Sequence, residues 1–135
     1  MPRVKITIVS AKNLANKDSW PTGVSDPFCS VQLAGQEETK VSTPVIDDDL
    51  NPKWNFSTVI EHDGKSDLWF TVCDSDLLGD DFLGQYVMRC AQVKSGFSGD
   101  VPLVPGKKKV LKNDPTLTLK VVPEGKPVCG GCSIL

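Results

Sequence analysis

Eight short segments of the chain have the residue pattern of β-strands, and this pattern limits the fold more than any other feature. Residues 4–8 alternate apolar and polar side chains, and residues 116–122 do the same. The predicted strands span residues 4–8, 28–33, 39–42, 53–60, 67–73, 82–89, 100–104 and 116–122. Because each strand has one apolar face to bury, we expect an all-β fold, an eight-stranded antiparallel sandwich of two packed sheets.

Turn signals separate these strands. Ala34-Gly35-Gln36 is expected to reverse the chain into the third strand. The polar turn His62-Asp63-Gly64 separates the fourth and fifth strands, and it predicts a β-hairpin. The 11 glycines and 10 prolines are typical of such a turn-rich protein, so we expect little helix.

Length and charge set further bounds. The 135 residues suffice for one domain, which we place at residues 1–122, followed by a flexible tail at residues 123–135. The formal net charge of -2 gives no indication of nucleic-acid binding. The sequence shows neither a signal peptide nor an apolar stretch long enough to span a bilayer, which predicts a cytoplasmic protein. In that compartment Cys29, Cys73 and Cys90 are expected to be free thiols, buried or half-buried.

Two acidic clusters follow the first and fifth predicted strands, at residues 18–26 and 74–81. If successive strands run up and down, the loops after strands one, three and five lie at the same end of the sandwich. Asp47-Asp48-Asp49 in the loop after strand three would then join both clusters. Carboxylates brought this close repel one another, and a hard cation such as Ca²⁺ relieves the repulsion. The alternative is that these aspartates only form turns and caps.

Several motifs in residues 4–122 together resemble the C2 domain family. They are Ala11-Lys12-Asn13-Leu14, Ser25-Asp26-Pro27-Phe28, Leu50-Asn51-Pro52-Lys53-Trp54-Asn55, and Asp74-Ser75-Asp76 followed by Asp81-Phe82-Leu83-Gly84. The first strand leads directly into the first acidic loop, and its expected partner strand comes last. That order is similar to the type II, or phospholipase-like, C2 topology.

The resemblance implies a calcium site. The acids that coordinate calcium in C2 domains map onto Asp18 and Asp26 in loop 1, and onto Asp74, Asp76 and Asp81 in loop 3. Two additional candidates are Asp48, which can add an oxygen from loop 2, and Asp80, which can replace Asp81 because loop 3 is about one residue short. Asp18 and Asp26 are also two residues further apart than is usual in the family.

Apolar residues beside the acids indicate a phospholipid membrane as the partner. Trp20 and Pro21 in loop 1 and Leu77 and Leu78 in loop 3 can insert shallowly into lipid once calcium has neutralised the acids. The alternative for these four residues is ordinary packing against one another. The basic run at residues 107–112 can touch phosphoinositide headgroups or remain a solvated loop.

The last four residues, Cys132-Ser133-Ile134-Leu135, have the form of a C-a-a-X prenylation motif with the final Leu that favours geranylgeranylation. Cys129 is a candidate for palmitoylation. The alternative is a chance tetrapeptide. Because one lipid holds a protein weakly, the calcium loops would supply a second membrane signal, and we expect peripheral membrane association.

The sequence gives little support for catalysis. Its single histidine, His62, lies in a polar turn, and no Cys or Ser has a motif that pairs it with a base. We therefore expect a monomeric binding module with no enzyme activity and no small-molecule substrate. The competing hypothesis is a C2 scaffold that binds a protein partner through a sheet face, independently of calcium.

Overall fold

A computed structural model describes residues 2–15, 25–76, 79–104 and 114–124. These residues form eight strands and one short helix. The strands are β1 (Arg3–Lys12), β2 (Pro27–Leu33), β3 (Gln36–Ser42), β4 (Lys53–Glu61), β5 (Leu68–Asp74), β6 (Asp81–Met88), β7 (Phe97–Pro102) and β8 (Thr116–Glu124), and the helix is α1 (Cys90–Ser95). No helix among the described residues is long and apolar enough to cross a membrane.

The strands form two four-stranded antiparallel sheets. Sheet 1 has the order β4-β1-β8-β7, and sheet 2 has the order β3-β2-β5-β6. The predicted all-β, eight-stranded antiparallel sandwich is confirmed. The β2–β3 turn is also confirmed, because Leu33 pairs with Gln36 across the two residues Ala34 and Gly35. Gly35 has φ of 73°, which glycine adopts without the steric penalty that other residues pay.

One core lies between the sheets. The inward positions of β1 are Val4, Ile6 and Ile8, each at most 3% exposed, and they belong to one core cluster with the equally buried Phe70 and Val72 of β5. Full burial of such a side chain contributes roughly 1.5–3 kcal/mol. The period-two pattern of the sequence is therefore the cause of the two-layer packing.

The predicted hairpin at His62-Asp63-Gly64 is wrong. β4 pairs with β1 in sheet 1, whereas β5 pairs with β2 and β6 in sheet 2, so this turn carries the chain between the sheets. His62 is 2% exposed and not a surface residue of the turn. Its Nδ1 accepts the Gly64 N–H at 3.1 Å, which leaves the proton on Nε2 to be donated to the Ser66 carbonyl at 2.8 Å.

The last two strands differ slightly in extent from the predicted ranges. β7 begins at Phe97, three residues before the predicted start, and it ends at Pro102, two residues before the predicted end. Val104 instead makes an isolated bridge to Gln85 at the edge of sheet 2. β8 continues to Glu124, two residues past the predicted end of that strand. Cys129 and Cys132 lie outside the described residues.

Candidate metal centre

Two short hydrogen bonds connect the three acidic loops at one end of the sandwich. The backbone N–H of Asp26 in loop 1 donates to Oδ1 of Asp74, at the end of β5, at 2.7 Å. The backbone N–H of Asp48 in loop 2 donates to Oδ1 of Asp26, also at 2.7 Å. The expected meeting of the loops after β1, β3 and β5 is therefore observed. We call this end the acidic pole.

Backbone hydrogen bonds reinforce the same junction. Ser75 N–H donates to the carbonyl of Asp26 at 3.0 Å, and Asp49 N–H donates to the carbonyl of Ser25 at 3.1 Å. The Ser25 side chain is fully buried, and its hydroxyl donates to the Ala15 carbonyl at 3.1 Å, which closes the base of loop 1. The sequence motif at residues 25–28 carried no separate signal for this role of Ser25.

Strand register brings two candidate acids of loop 3 together. Asp74 is the last residue of β5 and is 0% exposed. Asp81, the first residue of β6, is directly opposite Asp74, and Pro27 of β2 is opposite it on the other side. Like charges directly opposite each other on neighbouring strands are destabilising. The pairing of Asp74 with Asp81 therefore favours a nearby positive charge.

The remaining candidates fall into two groups. Asp76 and Asp80 are exposed residues of the loop between β5 and β6. Asp48 is exposed and has φ of 53°, a left-handed conformation that Asp tolerates better than most residues. Five of the predicted calcium-binding and membrane-insertion residues lie outside the described part of the chain: Asp18, Trp20, Pro21, Leu77 and Leu78.

The negative charge at this pole affects the pKa of the half-buried Cys73 thiol. Its pKa is raised from the ordinary value to about 11, mainly by burial and next by the negative charge of Asp80, with smaller contributions from Asp81 and Asp74. Lys40 partly opposes this rise in pKa. The acids at the ends of β5 and β6 thus act on one point of sheet 2. Asp80, the alternative to Asp81, is among them.

The donor chemistry fits a hard divalent cation, because every candidate contributes carboxylate oxygen. Among the described residues, no three His, Cys, Asp or Glu side chains are arranged as a metal-binding group. Asp26 and Asp74 instead use an oxygen to hold a backbone N–H of another loop. An ionised carboxylate has about four acceptor sites, so one hydrogen bond is compatible with ligation of an ion.

The two salt bridges between described residues involve other acids. They join Arg89 to Asp67 and Lys40 to Glu37, each at 3.2 Å. Neither of these salt bridges includes Asp26, Asp48 or Asp81. These two ion pairs therefore do not explain why the three loops carry so many carboxylates.

Comparisons with known proteins agree with the fold. A family model for the C2 domain matches residues 2–103. Extended synaptotagmin-1 of Rattus norvegicus is 32% identical over 130 residues, which is 91% of this chain and 10% of that protein. Rabphilin-1 of Caenorhabditis elegans is 37% identical over 90 residues, 62% of this chain and 8% of that protein. The chain thus spans about a tenth of the length of these relatives.

Solved structures give the same result. A calcium-bound structure of two C2 domains of extended synaptotagmin 2 superposes with a TM-score of 0.73 at 25% identity, over 90% of this chain and 45% of that one. One C2 domain of a plant extended synaptotagmin 1 has a TM-score of 0.77 at 22% identity, over 93% and 95% of the two chains. With the family model covering most of its length, the chain belongs to the C2 domain family.

Proposed function

We propose that this C2 domain binds phospholipid membranes through the acidic pole when calcium is present. The observation that carries the proposal is the hydrogen-bonded series Asp48–Asp26–Asp74, which brings acids from three separate loops to one end of the sandwich. The calcium-bound state of the related extended synaptotagmin 2 domains supports calcium as the ion.

The proposed ligands are the carboxylates of the three loops. They are Asp18 and Asp26 from loop 1, Asp48 from loop 2, and Asp74, Asp76 and either Asp80 or Asp81 from loop 3. Calcium supplies positive charge there and open coordination positions for lipid phosphate. Without it, the acids repel anionic headgroups over about one Debye length, ~8 Å at physiological salt. The charge of this pole, and not the net charge of -2, therefore determines membrane contact.

Trp20, Pro21, Leu77 and Leu78 are the proposed lipid contacts within the loops. Trp favours the headgroup interface and Leu the acyl region, so shallow insertion would add apolar burial to the electrostatic attraction. The finer assignment to type II topology belongs to the same proposal. It is supported by the pairing of β8 with β1 along β1, from Arg3 to Lys12.

Prenylation of Cys132, with palmitoylation of Cys129, is proposed as a second membrane attachment. β8 ends at Glu124, which pairs with Arg3 at the start of β1 and thus at the end opposite to the acidic loops. From Glu124 to Cys132 the extended chain reaches about 26 Å, whereas the ten residues of β1 span about 33 Å. Both attachments can therefore engage one membrane only when the domain tilts.

Calorimetric titration with calcium tests the proposal. We expect wild-type protein to give saturable heat, and the double variant Asp26→Asn, Asp76→Asn to lose it. The matched control is Glu61→Gln, Asp63→Asn, which also removes two carboxylate charges, at the end opposite to the acidic pole, and should bind calcium as wild type does. Calcium should also cause wild-type protein to sediment with phosphatidylserine-containing vesicles.

Two results would count against the proposal. Equal loss of calcium binding in both double variants would show that bulk charge matters and the loops do not. Absence of heat at millimolar calcium would favour the calcium-independent scaffold that binds a protein partner.

A further inference from the structure

An apolar band crosses sheet 2 immediately next to the acidic pole. We call it the apolar shoulder, and it consists of Val45, Phe28, Cys73 and Phe82. Val45 is 43% exposed and Phe82 is 38% exposed, whereas the core side chains of the same sheet are almost completely buried. Phe28 and Cys73 between them are half-buried. A contiguous exposed apolar surface of this kind indicates an interaction site more strongly than scattered exposed residues do.

Strand register and one loop hydrogen bond place the residues of the band side by side. Cys73 of β5 is directly opposite Phe28 on β2 and Phe82 on β6. The N–H of Ile46 donates to the Pro27 carbonyl at 3.1 Å, which places the segment containing Val45 beside the start of β2. At ~4.8 Å between strands, the band is about 14 Å wide.

The three strand residues of the band have side chains that face outward. Cys29 and Val72, the neighbours of Phe28 and Cys73 along β2 and β5, are fully buried in the core. Because side chains alternate along a strand, Phe28 and Cys73 lie on the opposite, outer face of sheet 2. Phe82 is exposed on the same row.

Near the acidic pole, the described residues of sheet 1 form no equivalent apolar band. Its strand pairs near the acidic pole are Ser10 with Lys53 and Lys12 with Thr116. Among the described residues, the exposed large hydrophobic side chains of sheet 1 are Val59 and Val122, which flank Lys5 near the other end. The acidic pole is thus apolar on the sheet 2 side and polar on the sheet 1 side.

We infer that the apolar shoulder enters the lipid surface when the acidic loops dock, so that the domain binds with the outer face of sheet 2 inclined toward the membrane. The inference rests on the proposed function and adds a direction of tilt and two lipid-contacting residues. Val45 lies two residues before Asp47, and Phe82 directly follows Asp81. A lipid surface that meets the acids on the sheet 2 side therefore meets both side chains.

Vesicle binding with a matched pair of variants tests the inference. Val45→Ser, Phe82→Ser removes the two most exposed residues of the shoulder. Val59→Ser, Val122→Ser removes two apolar residues of sheet 1 with similar exposure, 46% and 40%. With calcium and phosphatidylcholine vesicles, with or without phosphatidylserine, we expect the shoulder variant to bind about tenfold to a hundredfold more weakly. The control should stay within about twofold of wild type.

Calcium titration without vesicles separates lipid contact from ion binding, and both variants should give the wild-type heat. Quenching by brominated lipids adds a second measurement. Phe82→Trp should show calcium-dependent quenching beyond that of wild type, and Val59→Trp should not. Equal vesicle affinity of shoulder variant and control would overturn the tilt while leaving the proposed function intact. Wild-type protein that fails to bind vesicles with calcium would overturn both.

Discussion

The two ends of the sandwich use the same chemical group in different ways. At the acidic pole, Asp74 accepts an N–H from a residue 48 positions away in the sequence, and Asp26 accepts one from 22 positions away. At the opposite end, Asp63 accepts the N–H groups of Lys65 and Ser66, two and three positions away. A local carboxylate shapes its own turn, whereas a long-range one holds loops together. Sequence distance alone does not identify a candidate ligand, because Asp67 at the far end accepts an N–H from 23 positions away.

The ends also differ in how their acids are arranged. At the far end, the Asp67 carboxylate pairs with Arg89 at 3.2 Å and accepts the N–H of Cys90, the first residue of α1, at 2.8 Å. That acid has both a cation and a helix terminus as partners, which is favourable for a carboxylate. The acidic pole instead collects carboxylates on three loops. The concentration of acids from separate loops, more than their number, distinguishes it.

Replacement of Asp74 by Ala tests the comparison with the largest expected effect. The substitution leaves the partly buried Asp26 N–H without its acceptor, the fully buried Asp74 carboxylate, so we expect the free energy of unfolding to fall by about 1–3 kcal/mol. Chemical denaturation measures this change. Asp74→Asn keeps a carbonyl oxygen and should restore part of the loss, while Asp63→Ala should cost less than Asp74→Ala. An unchanged unfolding free energy for Asp74→Ala would remove the distinction between the two ends.

The pH dependence of stability probes the local acid. Hydrogen bonds from the Ser66 hydroxyl and from the N–H groups of Lys65 and Ser66 hold the pKa of Asp63 well below its usual range. A carboxyl group with a lowered pKa in the folded state contributes stability that is fully present above its unfolded pKa, about 3.9, and is lost as pH falls below it. Asp63→Asn should therefore make the loss of stability below pH ~4 shallower.

Thermal unfolding across that pH range is the measurement for Asp63→Asn. Ser66→Ala, which removes the main cause of the lowered pKa of Asp63, should also make the loss of stability at low pH shallower. If stability fell with pH in the same way for both variants and wild type, Asp63 would not be the group that contributes this stability.

The smallest effect is expected at the exposed ion pair of the far end. The Arg89 side chain is 79% exposed, so Arg89→Met should change the unfolding free energy by less than about 1 kcal/mol. Asp67→Ala should cost more, because it also removes the acceptor for the first N–H of α1. Urea denaturation of both variants checks the order. A larger effect for Arg89→Met would mean that charge pairing, and not the backbone hydrogen bond, makes Asp67 important.

Much of the fold could be predicted because apolar alternation is a local property. Val4, Ile6 and Ile8 indicate a half-buried strand without any knowledge of its neighbours, and burial in the structure follows that alternation. The ends of elements were less accurate. Val104, for example, was predicted to lie in the seventh strand but bridges to Gln85 of the other sheet, since pairing partners are not encoded in local pattern.

Features that depend on distant contacts could not be predicted. A turn signal such as His62-Asp63-Gly64 indicates that the chain bends. It does not indicate whether the next strand pairs with the previous one or joins the other sheet, ~10 Å away. Helix α1 was missed for a related reason. It has six residues and no side-chain cap from Arg89, and its first N–H is satisfied by Asp67 from 23 positions away.

The candidate site shows the same limit. The C2-like motifs and the expected up-and-down order of the strands were enough to select Asp26, Asp48 and Asp74 as candidates. Their hydrogen bonds confirm that their loops meet. The assignment of these acids as calcium ligands stays a prediction. The apolar shoulder was not foreseen, because Phe28 and Phe82 become neighbours of Cys73 only through the register of three strands.

The hydrogen-bonded series Asp48–Asp26–Asp74 limits how the sequence of such a domain can change during evolution. Each member takes part in two loops at once, so a change in one loop shifts the groups that its neighbours depend on. For the proposed calcium site, changes in ion affinity are then expected to require coordinated substitutions in several loops. Exchanging a single loop between relatives should disrupt the site and should not transfer the affinity of the donor.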